Sequence, residues 1–268
     1  MEINSYPVIK GAESIYFSGN KTGILLCHGF NGTPQSMQYI GEQLSQYGYT
    51  VSIPRLSGHG THYKEMESST YETWIMDLEA AYEHLKTNCS NVYIVGQSMG
   101  GALTLQLAAK KQHIDGIFLI NAAVTEVAYE SLKDEESPRF IHEGTPDIKK
   151  PSVFEITYDK VPLKAIHQLL FLMEDTKQKI KLVSCPTFIF KSAIDHVVSP
   201  RNSDFILHSV SSDIKKQTVL EHSYHVASMD YDAQLIVGTI HKDINNLQSS
   251  KSVKTGKKSS VESIKVDN

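Results

Sequence analysis

Val92-Tyr93-Ile94-Val95-Gly96-Gln97-Ser98-Met99-Gly100-Gly101-Ala102-Leu103-Thr104-Leu105-Gln106-Leu107-Ala108-Ala109 is the stretch from which the fold is read. An apolar, β-branched run of strand length stops at Gly96, and a run of good helix formers starts at Ala102. Between them stands G-x-S-x-G, a loose pattern that this strand-before, helix-after context makes specific. Turning straight from strand to helix forces the serine into strained backbone geometry and leaves its hydroxyl at the sheet edge. Side chains at 96 and 100 would collide in so tight a turn, and Gly101 permits close helix packing. The new helix aims its N-terminus at the site, which favours developing negative charge. The plain rival, a serine in a glycine-rich turn without chemistry, does not explain the flanks. Ser98 is the candidate nucleophile.

Outward from this segment, short apolar runs recur at 23–27, 49–53, 116–120, 187–190 and 217–220. Their character is continuous rather than alternating, as expected of strands buried on both faces of a mostly parallel sheet. Helical patterns lie between them, at 36–47, 70–87, 101–112 and 203–210. Strand alternating with helix predicts an α/β protein, a parallel central sheet flanked by helices.

The rhythm breaks between Asn121 and about Thr176, where a charge cluster (Lys133-Asp134-Glu135-Glu136) and prolines 138, 146, 151 and 162 interrupt it. Ile166, Leu169, Leu170 and Met173 then repeat at helical spacing over 163–179, and Phe171 and Leu172 widen the apolar face. A connection this long is uncommon unless functional. The segment reads as a small inserted cap over the strands' C-terminal edge, where α/β folds place ligands. The expected organisation is a core of 1–121 and 177–248, a cap of 122–176, and a basic, Ser/Lys-rich tail of 249–268 without order.

A nucleophilic serine needs a base, and the base needs an orienting acid; in this arrangement the acid comes first along the chain. Asp195 falls in the turn after the 187–190 run, while Asp204 and Asp213 lie in or beyond the next helix. Its plain rival role is a turn-forming aspartate. After the 217–220 run, His222 sits at the strand end and His225 deeper in the loop, where a base must hang over the serine. His225 is therefore the candidate base, Asp195 its orienter, and His222 structural. The loop His28-Gly29-Phe30, after the first long strand, offers a backbone N–H for an oxyanion hole. Met99, directly after the nucleophile, offers the second. His28 itself reads as structural.

Several function classes lose support. The formal net charge is −4, with 26 basic and 30 acidic residues, and no basic patch suggests a nucleic-acid partner. Five lysines (251, 254, 257, 258, 265) against Glu262 and Asp267 make the tail basic, so the body alone carries −7. A solvated tail is expected; its rival is transient attraction to an anionic membrane surface. Gly58-His59-Gly60-Thr61-His62 lacks acidic or cysteine ligands at metal spacing, and no phosphate-cradling glycine loop follows a strand. No metal and no cofactor are expected. Three cysteines (27, 89, 185) without paired spacing suggest a reducing compartment. No leader-like or membrane-spanning apolar run is apparent, so a cytoplasmic protein without stable membrane insertion is expected.

Six pieces together carry a closer likeness: His28-Gly29-Phe30-Asn31-Gly32-Thr33-Pro34, Pro54 to His62, Gly96 to Gly101, Asn121-Ala122-Ala123-Val124, Asp195-His196-Val197-Val198 and Ser223-Tyr224-His225-Val226-Ala227. From about Tyr6 to about Asp243 the chain resembles the bacillar carboxylesterases and monoacylglycerol lipases of the α/β-hydrolase fold. The resemblance implies Ser98, Asp195 and His225 as triad, Phe30 and Met99 as oxyanion donors, a small cap over an apolar acyl tunnel, and no cofactor. It implies a small amphipathic ester as substrate, a monoacylglycerol or a short- to medium-chain acyl ester. The stretch Ser131 to Pro151 and the tail depart from the pattern. Glu155 is a candidate for touching a glycerol head group, against the plain reading of a solvated carboxylate. A thioesterase, a cofactor-free perhydrolase and a non-catalytic acyl binder are the competing functions.

Overall fold

The computed structural model describes residues 6–111 and 113–262, with 251–262 as backbone alone. Its strands are β1 (Ile15–Phe17), β2 (Thr22–Cys27), β3 (Thr50–Ile53), β4 (Asn91–Gln97), β5 (Gly116–Ile120), β6 (Phe140–His142), β7 (Lys160–Pro162), β8 (Thr187–Ser192) and β9 (Lys215–Leu220). Seven form one sheet in the order β1-β3-β2-β4-β5-β8-β9. All its pairings are parallel except that of β1 with β3. The helices are α1 (Gln35–Gln46), α2 (Tyr63–Ser68), α3 (Tyr71–Asn88), α4 (Met99–Lys110), α5 (Leu163–Lys179), α6 (Arg201–Ser209) and α7 (Ala233–Glu262).

The unbroken apolar runs have a direct explanation. Successive side chains of a strand point to opposite faces, and here each face meets a helical layer. Ile24, Leu26, Tyr93, Val95, Phe118, Ile120, Phe188 and Phe190 pack with α1 and α7. Their alternates Leu25, Cys27, Val92, Ile94, Ile117, Leu119 and Ile189 pack with α3, α4 and α5. Burial on both sides makes the central strands β2, β4 and β5 almost wholly apolar, while β9 at the sheet edge is only partly covered.

The segment after β5 leaves the sheet, forms the antiparallel β6–β7 ribbon, and returns as α5. Helix α5 spans the predicted 163–179; Ala165, Ile166, Leu169, Leu172 and Met173 share the core cluster of α3 and α4, whereas Phe171, expected to widen the apolar face, is exposed. The irregular part, from 121 to 162, lies over the strand ends.

Four of these elements were out of reach of sequence periodicity. β1, β6 and β7 have three residues each and α2 six, too few for a repeat to register. The long α7 carries a legible stripe, Ile236, Val237, Ile240, Ile244 and Leu247, that escaped the reading. Helix α7 is described to Glu262, so it reaches into the stretch expected to be the basic tail. Residues 263–268 of the predicted tail lie outside the described residues. Among the described residues no helix is long and apolar enough to cross a membrane.

Candidate active site

The C-terminal ends of β2, β4, β5, β8 and β9 converge on one place. At the end of β4, Ser98 adopts φ 56° and ψ −119°, left-handed backbone that a side-chain-bearing residue rarely holds. The turn is as tight as the glycines suggest. A Cβ on Gly96 would run into the Gly100 carbonyl, and one on Gly100 into the carbonyls of Cys27 and His28. The amide of Ser98 donates to Ile120 O, and Ser98 O accepts from the Ala123 amide, so β5 and the turn after it fix the strained residue.

His225 lies in the loop after β9 with Nε2 2.9 Å from Ser98 Oγ. Its Nδ1 is 2.8 Å from Asp195 Oδ2, in the turn after β8. A carboxylate only accepts, so Nδ1 carries the hydrogen and Nε2 presents its lone pair to the serine hydroxyl. Asp195 Oδ1 accepts from the amides of Val197 and Val198 at 2.9 and 2.8 Å, which orients the carboxylate. Both side chains are buried, His225 8% and Asp195 2% exposed. The other residues weighed for these roles stand apart. Asp204 binds Lys191 and Gln217; His222 is exposed, and its amide donates to Asp232.

Phe30 follows the end of β2 and lines the cavity beside Ser98. Met99 is the first residue of α4, and the amides of a helix's first turn have no partner within the helix. Its side chain turns into the core. His28 is structural: Nδ1 donates to Gly29 O at 2.9 Å and Nε2 accepts from the Leu56 amide at 3.3 Å. Burial lowers its pKa to about 4, so it is neutral. His59, also fully buried and held neutral by burial, packs edge-on against His28, Phe30 and Trp74.

The cavity beside Ser98 has a volume of about 110 Å³. Val127, Leu169, Val197 and Val198 give it apolar walls, and Tyr129, Glu143, Asp147 and Glu155 bring polar groups from the segment beyond β5. Burial lifts the Glu155 carboxyl to about 7 against the opposing pull of His225. Gly32 leaves room for that carboxyl, since a Cβ there would sit 3.0 Å from Oε1. Tyr129 donates to Glu143 Oε2 at 2.5 Å, and burial raises the pKa of both.

Sequence reasoning gave Glu143, Asp147, Tyr129 and Asn121 no part in the site. Asn121, at the end of β5 with φ 45°, donates through Nδ2 to Ser192 Oγ and to the carbonyls of Tyr224 and His225, and accepts from the Ser192 amide. The signal was the piece Asn121-Ala122-Ala123-Val124 at a strand end, which carried the likeness without giving the asparagine a role.

This sheet, its nucleophile turn and its buried serine–histidine–aspartate relay define an α/β-hydrolase of the serine-hydrolase class. More narrowly, the chain belongs to the Hydrolase_4 family, described as serine aminopeptidase, S33, whose model matches residues 19–140 and 155–232. It is 44% identical over 234 residues to a thermostable monoacylglycerol lipase of Bacillus sp. (strain H-257), covering 87% of this chain and 94% of that one. It is 27% identical over 236 residues to a carboxylesterase of Bacillus subtilis (strain 168), covering 85% and 92%. Among solved structures, one described under two metagenome-derived lipolytic enzymes superimposes with TM-score 0.85 at 36% identity, over 91% of this chain and all of that one.

Proposed function

We propose that this protein hydrolyses carboxylic esters through an acyl-enzyme on Ser98, with monoacylglycerols or short- to medium-chain acyl esters as substrates. The observation that carries the reading is the relay Asp195–His225–Ser98, with links of 2.8 and 2.9 Å. His225 takes the Ser98 proton as the oxygen attacks the ester carbonyl. The amides of Phe30 and Met99 stabilise the tetrahedral oxyanion, collapse expels the alcohol, and His225 returns the proton to it. Water, deprotonated by the same histidine, then releases the acid. No step calls for a cofactor.

The relatives named above, one a monoacylglycerol lipase and one a carboxylesterase, support this substrate class. Glu155 supports the monoacylglycerol: a buried carboxyl beside the nucleophile is placed to bind the hydroxyls of a glycerol head, and apolar walls suit the acyl chain. The proposal assigns 1–121 and 177–248 to the core and 122–176 to the cap. It includes cytoplasmic residence, supported by three unpaired cysteines.

The test is turnover of nitrophenyl esters and monoolein by wild type and Ser98→Ala. Removing the nucleophile should lower kcat on the order of 10⁶-fold. A variant with even a tenth of wild-type activity ends the proposal. Faster turnover of acyl thioesters, or of acetate with peroxide, would move the assignment to a thioesterase or perhydrolase. Failure of a fluorophosphonate to label Ser98 would favour a non-catalytic binder.

A further inference from the structure

The loop carrying the base and the loop carrying its acid are joined by a residue from neither. Asp147 lies in the stretch between β6 and β7, in the part of the chain that the family match passes over. Its Oδ2 accepts from the His225 amide at 3.2 Å and the His196 amide at 3.1 Å, one in each loop. Its Oδ1 meets His196 Nδ1 at 2.8 Å, and its carbonyl accepts from the Val226 amide at 3.1 Å. One side chain thus grips both loops, and its own backbone grips one of them again.

The attachment is reciprocated from the core. Asp230, just beyond the His225 loop, accepts from the Lys149 and Lys150 amides at 2.7 and 3.0 Å. It also accepts from the Tyr224 and Tyr231 amides at 3.0 and 2.8 Å. Two carboxylates therefore cross-link residues 147–150 to the loop of the base. Asn121 holds the same loop from below through the Tyr224 and His225 carbonyls.

We propose that Asp147 is a positioning residue, setting the distance between the His225 and Asp195 loops and making the segment over the cavity move with the base. This rests on the ester-hydrolase reading. Loops after strands are the mobile part of such a fold. The alignment of Nε2 on the serine and Nδ1 on the aspartate depends on the relative placement of two of them. A single oxygen that accepts from an amide of each loop fixes the separation of those amides. The hydrogen bonds of the Asp147 side chain go to the two loop amides and to the His196 ring, so it acts on His225 through the loop backbone.

The experiment compares Asp147→Ala with Asp147→Asn on a nitrophenyl ester, with active sites counted by burst titration. Asp147→Ala should lower kcat per titrated site about 10²-fold, the effect of a displacement near 1 Å, and leave KM little changed. Asp147→Asn should recover most of it, because its carbonyl oxygen can take the position of Oδ2 and accept from both amides. A merely structural role would reduce the number of titratable sites, leaving kcat per site intact, and that result overturns the inference. So does an asparagine variant as impaired as the alanine. If Asp147→Ala does not fold, Asp147→Ser, too short to bridge both loops, carries the same test. Wild-type enzyme inactive on every ester would instead sink the reading beneath; active wild type with unaffected Asp147 variants sinks this inference alone.

Discussion

The strand ends and the segment that covers them solve the same problem, fixing a few atoms in space, by different physics. At the strand ends the means is steric. A Cβ at Gly96 or Gly100 would collide with backbone carbonyls, and Ser98 is held at φ 56° by hydrogen bonds to Ile120 and Ala123. Over the cavity the means is polar, with side-chain carboxylates and amides capturing backbone groups distant in sequence. Asn31 makes a reciprocal pair with the Tyr158 backbone, donating to its carbonyl and accepting from its amide. Asp147 and Asp230 hold the loop that carries His225. Steric placement writes itself into local composition, whereas polar capture needs only one residue at each end. The difference predicts that changes in the first region act on chemistry, and changes in the second act on stability and on coupling between parts.

Asp195→Asn should break the first region with the largest effect. The asparagine keeps an acceptor for Val197 and Val198, so the turn persists. Its NH₂ then faces Nδ1, the imidazole must carry its hydrogen on Nε2, and the serine proton has nowhere to go. A fall of about 10⁴ in kcat is expected, with little change in thermal stability. Steady-state kinetics beside a melting curve check it. An equal loss of stability would mean that this aspartate is chiefly a turn residue, as its sequence context alone allows.

The contrast also explains what was legible. Ser98 stands in a glycine signature, Asp195 and His225 in the loops directly after apolar runs, and the 163–179 helix announced itself by its apolar repeat. Glu143, Asp147 and Tyr129 sit among prolines and charges without periodicity, where nothing local separates a carboxylate bound to a distant amide from one in water. The family match is interrupted between 140 and 155, over this stretch. Glu155 was legible only as one of two readings. Its burial counts against the solvated one, since it is 8% exposed.

Glu155→Gln sharpens the comparison from the other side, since here a substitution at the site should stabilise. Burial raises the folded-state pKa from 4.5 to about 7. The protonated carboxyl therefore favours the fold fully below pH 4.5, and that contribution is lost as pH rises towards 7. The loss is on the order of 3 kcal/mol above that window. Glutamine is close in shape to the protonated acid and does not titrate. The variant and wild type should be nearly equally stable at pH 4, the variant should gain between 4.5 and 7, and the gap should then level off. Urea unfolding at stepped pH measures it; parallel curves would remove the buried charge from the account. The same variant should raise KM for monoolein more than for a nitrophenyl ester.

Asn121 stands where the regions meet, closing β5 and holding the loop of the base, and its substitutions should have the smallest effect. Alanine removes three donations and one acceptance among buried partners, which should cost about 1–3 kcal/mol. Aspartate is the informative change. It keeps an oxygen for the Ser192 amide but turns a second one towards the Tyr224 and His225 carbonyls and Ser192 Oγ. Two of those three are carbonyls that can only accept, so a carboxylate faces them without a shared hydrogen. Asn121→Asp should therefore melt lower than Asn121→Ala and lose more kcat, although it is the nearer match in shape. Were alanine the worse of the two, Asn121 would be filling space at the end of β5, and the hold on His225 would belong to Asp147 and Asp230 alone.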